Sequence, residues 1–256
     1  NGLCAVIKSY AVFDYLKAIL EAEPNNYSIT ADILCAANYG APQKRMRFVV
    51  MGIKRSLNEN VKLPHGSFTE ENYRTVRDAI EDLEDVAPLK DVSADIGIPL
   101  TKKEGLGQLG AALRDAEVLK NHIITDTKAA AMERFKALKQ GQNFHALDDA
   151  LKTNTYTDVS RTQNTIYLRL DYDQPSGTVV NVRKSMWVHP VLNRAISIRE
   201  AARLQTFPDS FVFYGTKDKQ YQQVGNAVPP IMAKAIAKKL AAQLKRSLDE
   251  AKPLYG

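Results

Sequence analysis

The chain has 256 residues, and its 35 Lys and Arg residues exceed its 29 Asp and Glu residues, giving a net charge of +6. With 45% hydrophobic and 25% charged residues, the composition is that of a globular protein, which excludes intrinsic disorder and collagen-like repetition. No apolar run reaches the roughly 20 residues that a membrane-spanning helix needs. Cys4 and Cys35 form neither a disulfide framework nor a metal knuckle, and no signal peptide is visible, so we expect an intracellular protein with reduced thiols.

The positive charge favours an acidic partner, most commonly a nucleic acid. Lys and Arg gather in residues 44–55, 217–219 and 234–246, whereas residues 70–85 are acidic. Many ordinary enzymes carry a similar excess, so the charge by itself leaves the partner open.

The first third of the chain predicts a helix followed by two strands. Ser9 is placed to cap a helix over residues 10–21. Residues 27–34 and 45–53 are rich in β-branched and aromatic side chains and are separated by turn residues. We therefore expect a β-hairpin laid on a larger sheet, followed by a short acidic helix over residues 75–83.

The middle and the end of the chain differ in polarity and in helical periodicity. Residues 85–173 are polar and irregular, and short strands are predicted at 165–170 and 178–182. Helical periodicity returns at residues 198–205 and is strongest at 230–248. In the last segment, apolar side chains recur at i, i+4 and i+8: Ile236, Leu240 and Leu244.

Two familiar kinds of site are not expected. Residues 105–110 match G-x-G-x-x-G, but the polar residues 100–104 before them cannot form the buried strand that a dinucleotide site needs. These glycines therefore predict a flexible loop before a helix-like stretch at 111–119. No metal site is expected either, because the four histidines are scattered without ligand spacing: His65, His122, His145 and His189.

Arg45 and Arg47 stand at the start of the second predicted strand. Side chains alternate along a strand, so both guanidinium groups are expected on one face. They would need an anion or a set of carbonyl acceptors. An edge strand blunted by charge explains them equally well.

Two further segments each allow two interpretations. Arg199, Glu200 and Arg203 lie together on a predicted helix and suit either a functional role or a solvated, ion-paired surface. Residues 222–230 place a Gly-Asn turn before a helix. The free backbone N–H groups there suit a polar ligand or a plain helix entry.

The order of these segments resembles the second half of a DNA (cytosine-5) methyltransferase. Four segments match the family's pattern. Residues 38–52, with Gln43-x-Arg45-x-Arg47, are similar to its eighth conserved block, and Thr178-Val179 is similar to the pair that closes its target recognition domain. Residues 199–208 are similar to its ninth block and residues 223–228 to its tenth. The long variable stretch lies between the eighth and ninth blocks, where the family has that domain.

The chain departs from the family in its catalytic blocks. The family's nucleophile lies in a Pro-Cys dipeptide, but Cys4 follows Leu3 and Cys35 follows Leu34. The Glu-Asn-Val block and the glycine-rich block for S-adenosylmethionine are also missing. Asn1-Gly2-Leu3 resembles the residues that come directly after the family's Glu-Asn-Val block, and the chain does not begin with Met, so we expect a C-terminal half cut from a longer protein.

The resemblance implies an α/β fold with two parts. A partial S-adenosylmethionine-dependent methyltransferase (Rossmann-like) sheet with its helices would occupy residues 1–84, with 218–256 packing back on it. A smaller, mixed, strand-containing target recognition domain would occupy residues 85–217.

The resemblance also implies roles for single residues. Arg47 would hold a flipped cytosine near its O2 atom, and Thr178 would help to place the nucleotide. Arg45 would support that pocket or bind a nearby phosphate. Asn226, Ala227 and Val228 would close the S-adenosyl-L-methionine site. Arg199, Glu200 and Arg203 would organise the recognition domain rather than touch the reacting atoms.

Double-stranded DNA is the implied substrate. Arg161, Gln163 and Asn164 carry donors and acceptors suited to base edges in the major groove, although the polarity of a surface loop explains them as well. Residues 217–219 would bind phosphates.

The implied activity is C5 methylation of a flipped cytosine, in a bacterial restriction-modification setting and a cytoplasmic, nucleoid-associated location. We expect the full-length enzyme to be active, and this chain without the N-terminal catalytic half to be inactive. Neither a membrane nor a metal is expected to take part. Two alternatives stay open: a non-catalytic DNA-binding or regulatory module, and a separate subunit of a split methyltransferase.

Overall fold

The computed structural model describes residues 12–57, 60–153 and 162–251. The chain is an α/β protein whose contacts divide it into two compact units. The hairpin unit comprises the described parts of residues 1–40, 45–71 and 231–256. The central unit comprises the described parts of residues 41–44 and 72–230.

Helices and strands follow in this order along the described residues. The α-helices are α1 Val12–Glu21, α2 Val76–Ile80, α3 Gln108–Leu113, α4 Ala129–Ala137, α5 Asp149–Lys152, α6 Val182–Ser185, α7 Ile198–Leu204, α8 Lys217–Asn226 and α9 Pro230–Ala251. The strands are β1 Tyr27–Cys35, β2 Met46–Lys54, β3 Ile98–Pro99 and β4 Val118–Leu119. Short 3-10 turns lie at Ala36–Tyr39, Glu81–Leu83, Val92–Ala94 and Phe144–Ala146.

The hairpin unit is built on β1 and β2, which confirms the predicted hairpin but not, within the described residues, the larger sheet on which it was expected to lie. The strands pair antiparallel from Tyr27 opposite Lys54 to Cys35 opposite Met46. Gly40 ends the 3-10 turn between them with a φ of +89°, a conformation that favours glycine because it has no Cβ. Among the described residues, this sheet has two strands.

Helix α9 packs against the hairpin through the apolar positions that set its sequence periodicity. The contacts join Ile236, Leu240 and Leu244 to Met51, Ile53 and Val61. The Gln243 side chain accepts a hydrogen bond from Lys62 N at 2.8 Å and donates one to Lys62 O at 3.1 Å. The helix begins at Pro230, where the missing N–H costs no helical hydrogen bond.

The central unit has its main core between α2, α3, α7 and α8. The side chains in this core are fully buried or nearly so, among them Ile80, Trp187, Leu204, Phe213 and Tyr221. The Tyr221 hydroxyl group donates to Ile196 O at 2.9 Å, so its polar atom is satisfied inside the core.

A smaller cluster in the central unit supports the segment around residue 166. Its aromatic members are Phe135, Phe144 and Tyr167. The buried Arg169 guanidinium group lies nearby and donates to His189 O at 2.8 Å and to Asn193 Oδ1 at 2.6 Å. Arg169 therefore holds the loop at residues 189–193 through uncharged acceptors.

Three local predictions were wrong. Residues 164–167 form a turn rather than a strand, because Tyr167 adopts a left-handed φ of +53°. Residues 178–181 form no strand, since Val179 N donates to the Gln43 side chain instead of a neighbouring strand. The helix-like stretch at 111–119 ends at Leu113, and Val118–Leu119 is a strand.

The contacts place residues 72–84 and 218–230 in the central unit. The sequence instead predicted one domain from residues 1–84 with 218–256 and a second from residues 85–217. That division is defined by function, and it stays a prediction. Within the described ranges, no helix is long and apolar enough to cross a membrane. The same part of the chain holds no group of three His, Cys, Asp or Glu side chains arranged for a metal ion.

Candidate functional site

The segment before Arg45 is hydrogen-bonded to the segment before Thr178, inside the central unit. Lys44 N donates to Ser176 O at 2.8 Å, and Ser176 N donates to Pro42 O at 2.9 Å. The Thr178 hydroxyl group donates to Lys44 O at 3.2 Å. Hydrogen bonds therefore join two of the four segments that carry the family resemblance, the one with Gln43 and the one with Thr178.

Arg45 and Arg47 have different surroundings. Arg45 lies just before β2 and is 1% exposed, which excludes a charge that merely blunts an exposed strand edge. Arg47 lies within β2 opposite Leu34, is half-buried, and donates from Nη1 to Met46 O at 2.8 Å. The two arginines therefore differ in burial, and their projection from one strand face stays a prediction.

Arg203 is completely buried, so the interpretation of its helix as a solvated surface is wrong. Its Nη2 atom lies 2.5 Å from Asp209 Oδ2, and its Nη1 atom pairs with Asp82. Burial by itself would lower the pKa of Arg203, but the hydrogen bonds to Asp209 raise it above its ordinary value. Arg203 therefore stays charged and joins α7 to the segments on either side of it.

Arg199 lies one helical turn before Arg203 and bonds mainly to backbone carbonyls. It donates to Lys120 O at 2.9 Å, to Pro208 O at 2.9 Å and to Phe211 O at 2.7 Å. Burial lowers the pKa of Arg199 to about 10. The side chain therefore fixes the chain that follows α7, where residues 208–211 turn back.

Glu200 closes the start of α7 with a capping box. Ser197 N donates to Glu200 Oε2 at 2.7 Å, and Glu200 N donates to Ser197 Oγ at 3.0 Å. Arg194 binds both carboxylate oxygens, at 2.6 and 2.8 Å. Burial would raise the pKa of Glu200, but the Arg194 guanidinium group holds that pKa below its ordinary value. These bonds give Glu200 a structural role.

The predicted edge of a cofactor site lies at the end of α8. A Cβ at Gly225 would lie 2.6 Å from the carbonyl carbon of Val180, so only glycine allows this approach of helix and backbone. Asn226 and Val228 are exposed and Ala227 is half-buried. The segment therefore offers one amide side chain and apolar surface to a ligand.

The predicted DNA-reading residues lie mainly on the turn above the small aromatic cluster. Gln163 and Asn164 are exposed, and their backbone carbonyls accept from Ile166 N and Asn143 Nδ2, each at 3.0 Å. The turn is thus held while both amide side chains face outward. Arg161 lies outside the described residues.

Lys217 is held by the protein and does not fit the expected phosphate contact. Its ammonium group donates to Ile124 O at 3.0 Å and to Lys90 O. Burial lowers its pKa. Lys219, two residues on, is exposed and stays a candidate.

Sequence reasoning missed the contact between two buried amides, Gln43 and Gln205. Gln43 Nε2 donates to Gln205 Oε1 at 2.8 Å, although the residues lie 162 positions apart. Both side chains are 0% exposed. The available signal was their occurrence in two of the four matching segments, which are separated by the variable stretch.

Comparison with known proteins shows the family of the chain. The profile of C-5 cytosine-specific DNA methylases matches residues 10–242. The chain therefore belongs to this family, whose members use S-adenosylmethionine.

Relatives and one solved structure support this assignment. The chain is 29% identical over 245 residues to the type II methyltransferase M.DdeI of Desulfomicrobium norvegicum, covering 89% of the chain and 58% of the relative. It is 33% identical over 224 residues to M1.HphI of Haemophilus parahaemolyticus, covering 88% and 50%. A solved structure, described as a DNA modification methyltransferase encoded within an E. coli prophage, has a TM-score of 0.66 and 27% identity, covering 86% of this chain and 61% of that one. The chain thus spans about half the length of the curated relatives it matches.

Proposed function

We propose that the chain is the C-terminal portion of a DNA (cytosine-5) methyltransferase. In this proposal it carries the target recognition domain, arginines of the target-base pocket and one edge of the S-adenosylmethionine site. The observation that carries it is a family match over residues 10–242 in a chain that spans about half of its relatives. The sequence supports it, because no Pro-Cys dipeptide occurs in the 256 residues.

The chemistry requires the cytosine to leave the duplex, because its C5 atom is blocked inside the stack. In the family a cysteine thiolate adds to C6 of the flipped base, which makes C5 nucleophilic. Arg47 would hold the base near O2, where its guanidinium group opposes the negative charge that develops in the adduct. Arg45 would support this pocket, and Thr178 would help to place the nucleotide.

S-adenosylmethionine supplies the methyl group when bound, and the end of α8 fits one edge of such a site. The exposed Asn226 amide suits a polar part of the cofactor, and the exposed Val228 suits an apolar part. Ala227 lies between them in extended backbone, which leaves both neighbours free to face a ligand. The rest of the site belongs to the glycine-rich block, which this sequence lacks.

Sequence recognition is assigned to residues 85–217. The exposed amides of Gln163 and Asn164 suit adenine and other base edges in the major groove. Lys219 suits a phosphate contact that positions the duplex. Arg161 retains its predicted role at a base edge.

A second polypeptide segment, the N-terminal catalytic portion, is the proposed partner of the hairpin unit. Helix α1 buries none of its residues, and Val12, Leu16 and Ile19 on it are exposed. Met46 and Val50 of β2 are exposed as well. Exposed apolar side chains and a two-stranded sheet suit a partner that adds strands and covers the helix.

One relative favours a second version of this proposal, in which the chain is a separate subunit of a split methyltransferase. The type II methyltransferase M.AquIB of Picosynechococcus is 34% identical over 143 residues, which make up 94% of that relative and 52% of this chain. A whole relative can thus consist almost entirely of this region. The upstream reading frame decides between the versions: a continuous frame through Pro-Cys and Glu-Asn-Val indicates one chain, and a start codon near Asn1 indicates two.

The direct test of the base pocket is Arg47→Ala in the enzyme that contains both portions. We expect methyl transfer to cytosine to fall at least about 100-fold, as expected when a group that stabilises developing charge is lost. Binding to duplex DNA should change little, because the partner of Arg47 is the flipped base. Tritiated-methyl transfer and DNA binding are measured on the same preparation.

The matched control is Arg55→Ala, which removes an exposed arginine just after β2. It should leave methyl transfer near the wild-type rate. Equal losses of methylation and DNA binding in Arg47→Ala would make Arg47 a phosphate contact and would overturn its proposed role.

A further inference from the structure

We propose that Gln43 and Gln205 form a positioning pair that couples the segment around Thr178 to the cofactor edge at Ala227. The inference rests on the proposed function, because that function places the nucleotide and the cofactor at those two segments. It adds a physical connection between them through two buried amides.

The connection is a directed chain of hydrogen bonds. Val179 N donates to Gln43 Oε1 at 2.9 Å, and Gln43 Nε2 donates to Gln205 Oε1 at 2.8 Å. Gln205 Nε2 donates to Val224 O at 2.7 Å. Every bond lies within the central unit and runs in the same direction, so each amide polarises the next.

Surrounding bonds fix the orientation of both amides. Gln43 Nε2 also donates to Leu204 O at 3.1 Å, so exchanging its oxygen and nitrogen would set two acceptors against each other. Thr206 follows Gln205 with a φ of +67°, a conformation that a β-branched residue rarely adopts. The chain direction at Gln205 is therefore held against local strain by its surroundings.

Each end of the chain of bonds reaches a proposed ligand segment. At one end, Val179 follows Thr178, whose hydroxyl group binds Lys44 O. At the other end, Val224 O also accepts from Ala227 N at 3.3 Å. A shift of the Thr178 segment therefore changes the geometry at a carbonyl that holds Ala227 directly.

Isosteric substitutions separate the donors from the acceptors. Gln205→Glu keeps an acceptor for Gln43 but places a carboxylate against Val224 O, so the end of α8 must move. Gln43→Glu keeps the acceptor for Val179 N but confronts Leu204 O and Gln205 Oε1. The matched control is Gln222→Glu, because Gln222 is an exposed glutamine on α8.

The test uses the enzyme with both portions and measures amide hydrogen exchange, S-adenosylhomocysteine binding and duplex DNA binding. We expect Gln205→Glu to speed exchange at residues 178–181 as well as at 224–229. Affinity for S-adenosylhomocysteine should fall about tenfold, the effect of losing about one buried hydrogen bond, while DNA affinity changes less than about threefold. The control should match the wild type in all three measurements.

Faster exchange that is confined to residues 224–229 would overturn the coupling. So would a loss of affinity for both S-adenosylhomocysteine and DNA that follows a lower melting temperature in proportion. If Gln205→Glu does not fold, Gln205→Met keeps the length without the hydrogen bonds and is judged by the same readouts. Hydrogen exchange requires no catalysis. If the enzyme does not methylate DNA but Gln205→Glu still speeds exchange at both 178–181 and 224–229, the proposed function fails and the coupling stands.

Discussion

The Arg203 network of the central unit and helix α1 of the hairpin unit differ sharply in burial. The central unit buries charged groups completely and supplies their partners itself, as at Arg203 with Asp82 and Asp209. The hairpin unit leaves apolar side chains exposed, among them Leu16 at 50% and Val50 at 43%. Removing one member of the Arg203 network therefore leaves a buried charge without its partner, whereas α1 and β2 have apolar surface for a further partner.

The largest expected effect breaks the buried network of the central unit. Arg203→Met leaves Asp209 without its closest cation and Asp82 with Arg114 only. We expect the free energy of unfolding to fall by about 3–5 kcal/mol, because the buried Asp209 carboxylate loses its closest cation and Asp82 loses one of two. Urea denaturation of the chain measures this change.

The control for that network is Arg183→Met, whose ion pair with Asp218 is about 40% exposed on both sides. It should cost no more than about 1 kcal/mol, as exposed ion pairs do. Equal costs for the two variants would show that the burial of the Arg203 network contributes nothing beyond an exposed pair.

The second prediction concerns pH and the buried His189. Burial lowers the pKa of His189 to about 4 from an ordinary value of 6.5, although the nearby Glu200 opposes the shift. As the pH falls below 6.5 the unfolded chain takes up a proton first, so stability declines until about pH 4. The full loss corresponds to about 3 kcal/mol.

His189→Asn keeps an acceptor for Leu192 N but does not titrate, so its stability should depend less on pH in this window. Denaturation curves at pH 7, 5.5 and 4.5 measure the slope. The control is the exposed His145→Asn, which should keep the wild-type profile. An unchanged slope in His189→Asn would assign the loss to other groups, first to the buried His122, whose pKa burial also lowers.

The third prediction tests the exposed turn of the central unit. Asn164→Ala in the enzyme with both portions should reduce discrimination between target sequences by about 1–3 kcal/mol at one base pair and leave the melting temperature unchanged. Methylation rates on single-base variants of the target measure the discrimination. A uniform loss on all sequences would instead make Asn164 a backbone contact.

The last prediction concerns the hairpin unit, where the expected effect on stability is small. Leu16→Glu should change the free energy of unfolding by no more than about 0.5 kcal/mol, because the side chain is already exposed. The Leu16→Glu variant should nevertheless associate much more weakly with the N-terminal portion. Sedimentation of the two portions measures this, with Asp14→Asn on the same helix as the control, and unimpaired association would remove α1 from the proposed interface.

The sequence predicted the elements whose signals are local. Alternating and β-branched residues located the β1–β2 hairpin, and the spacing of Ile236, Leu240 and Leu244 located α9. The family followed from short segments in the right order, which need no three-dimensional information.

The remaining features depend on contacts between distant residues. Arg203 meets Asp82 across 121 positions, and nothing local in the sequence distinguishes that pair from a solvated one. Residues 178–181 have strand composition, but a side-chain amide replaces the strand partner. The buried amides of Gln43 and Gln205 have no pattern that periodicity detects.

The proposed function depends above all on a second portion, without which this chain should transfer no methyl group. The measurement is tritiated-methyl transfer from S-adenosylmethionine to duplex DNA by this chain, by the portion with the Pro-Cys and Glu-Asn-Val blocks, and by both together. We predict incorporation only for the mixture, because losing a nucleophile typically lowers catalysis by several orders of magnitude, about 10⁶ in a well-studied protease. Incorporation by this chain alone that disappears in Cys4→Ser or Cys35→Ser would contradict the proposal.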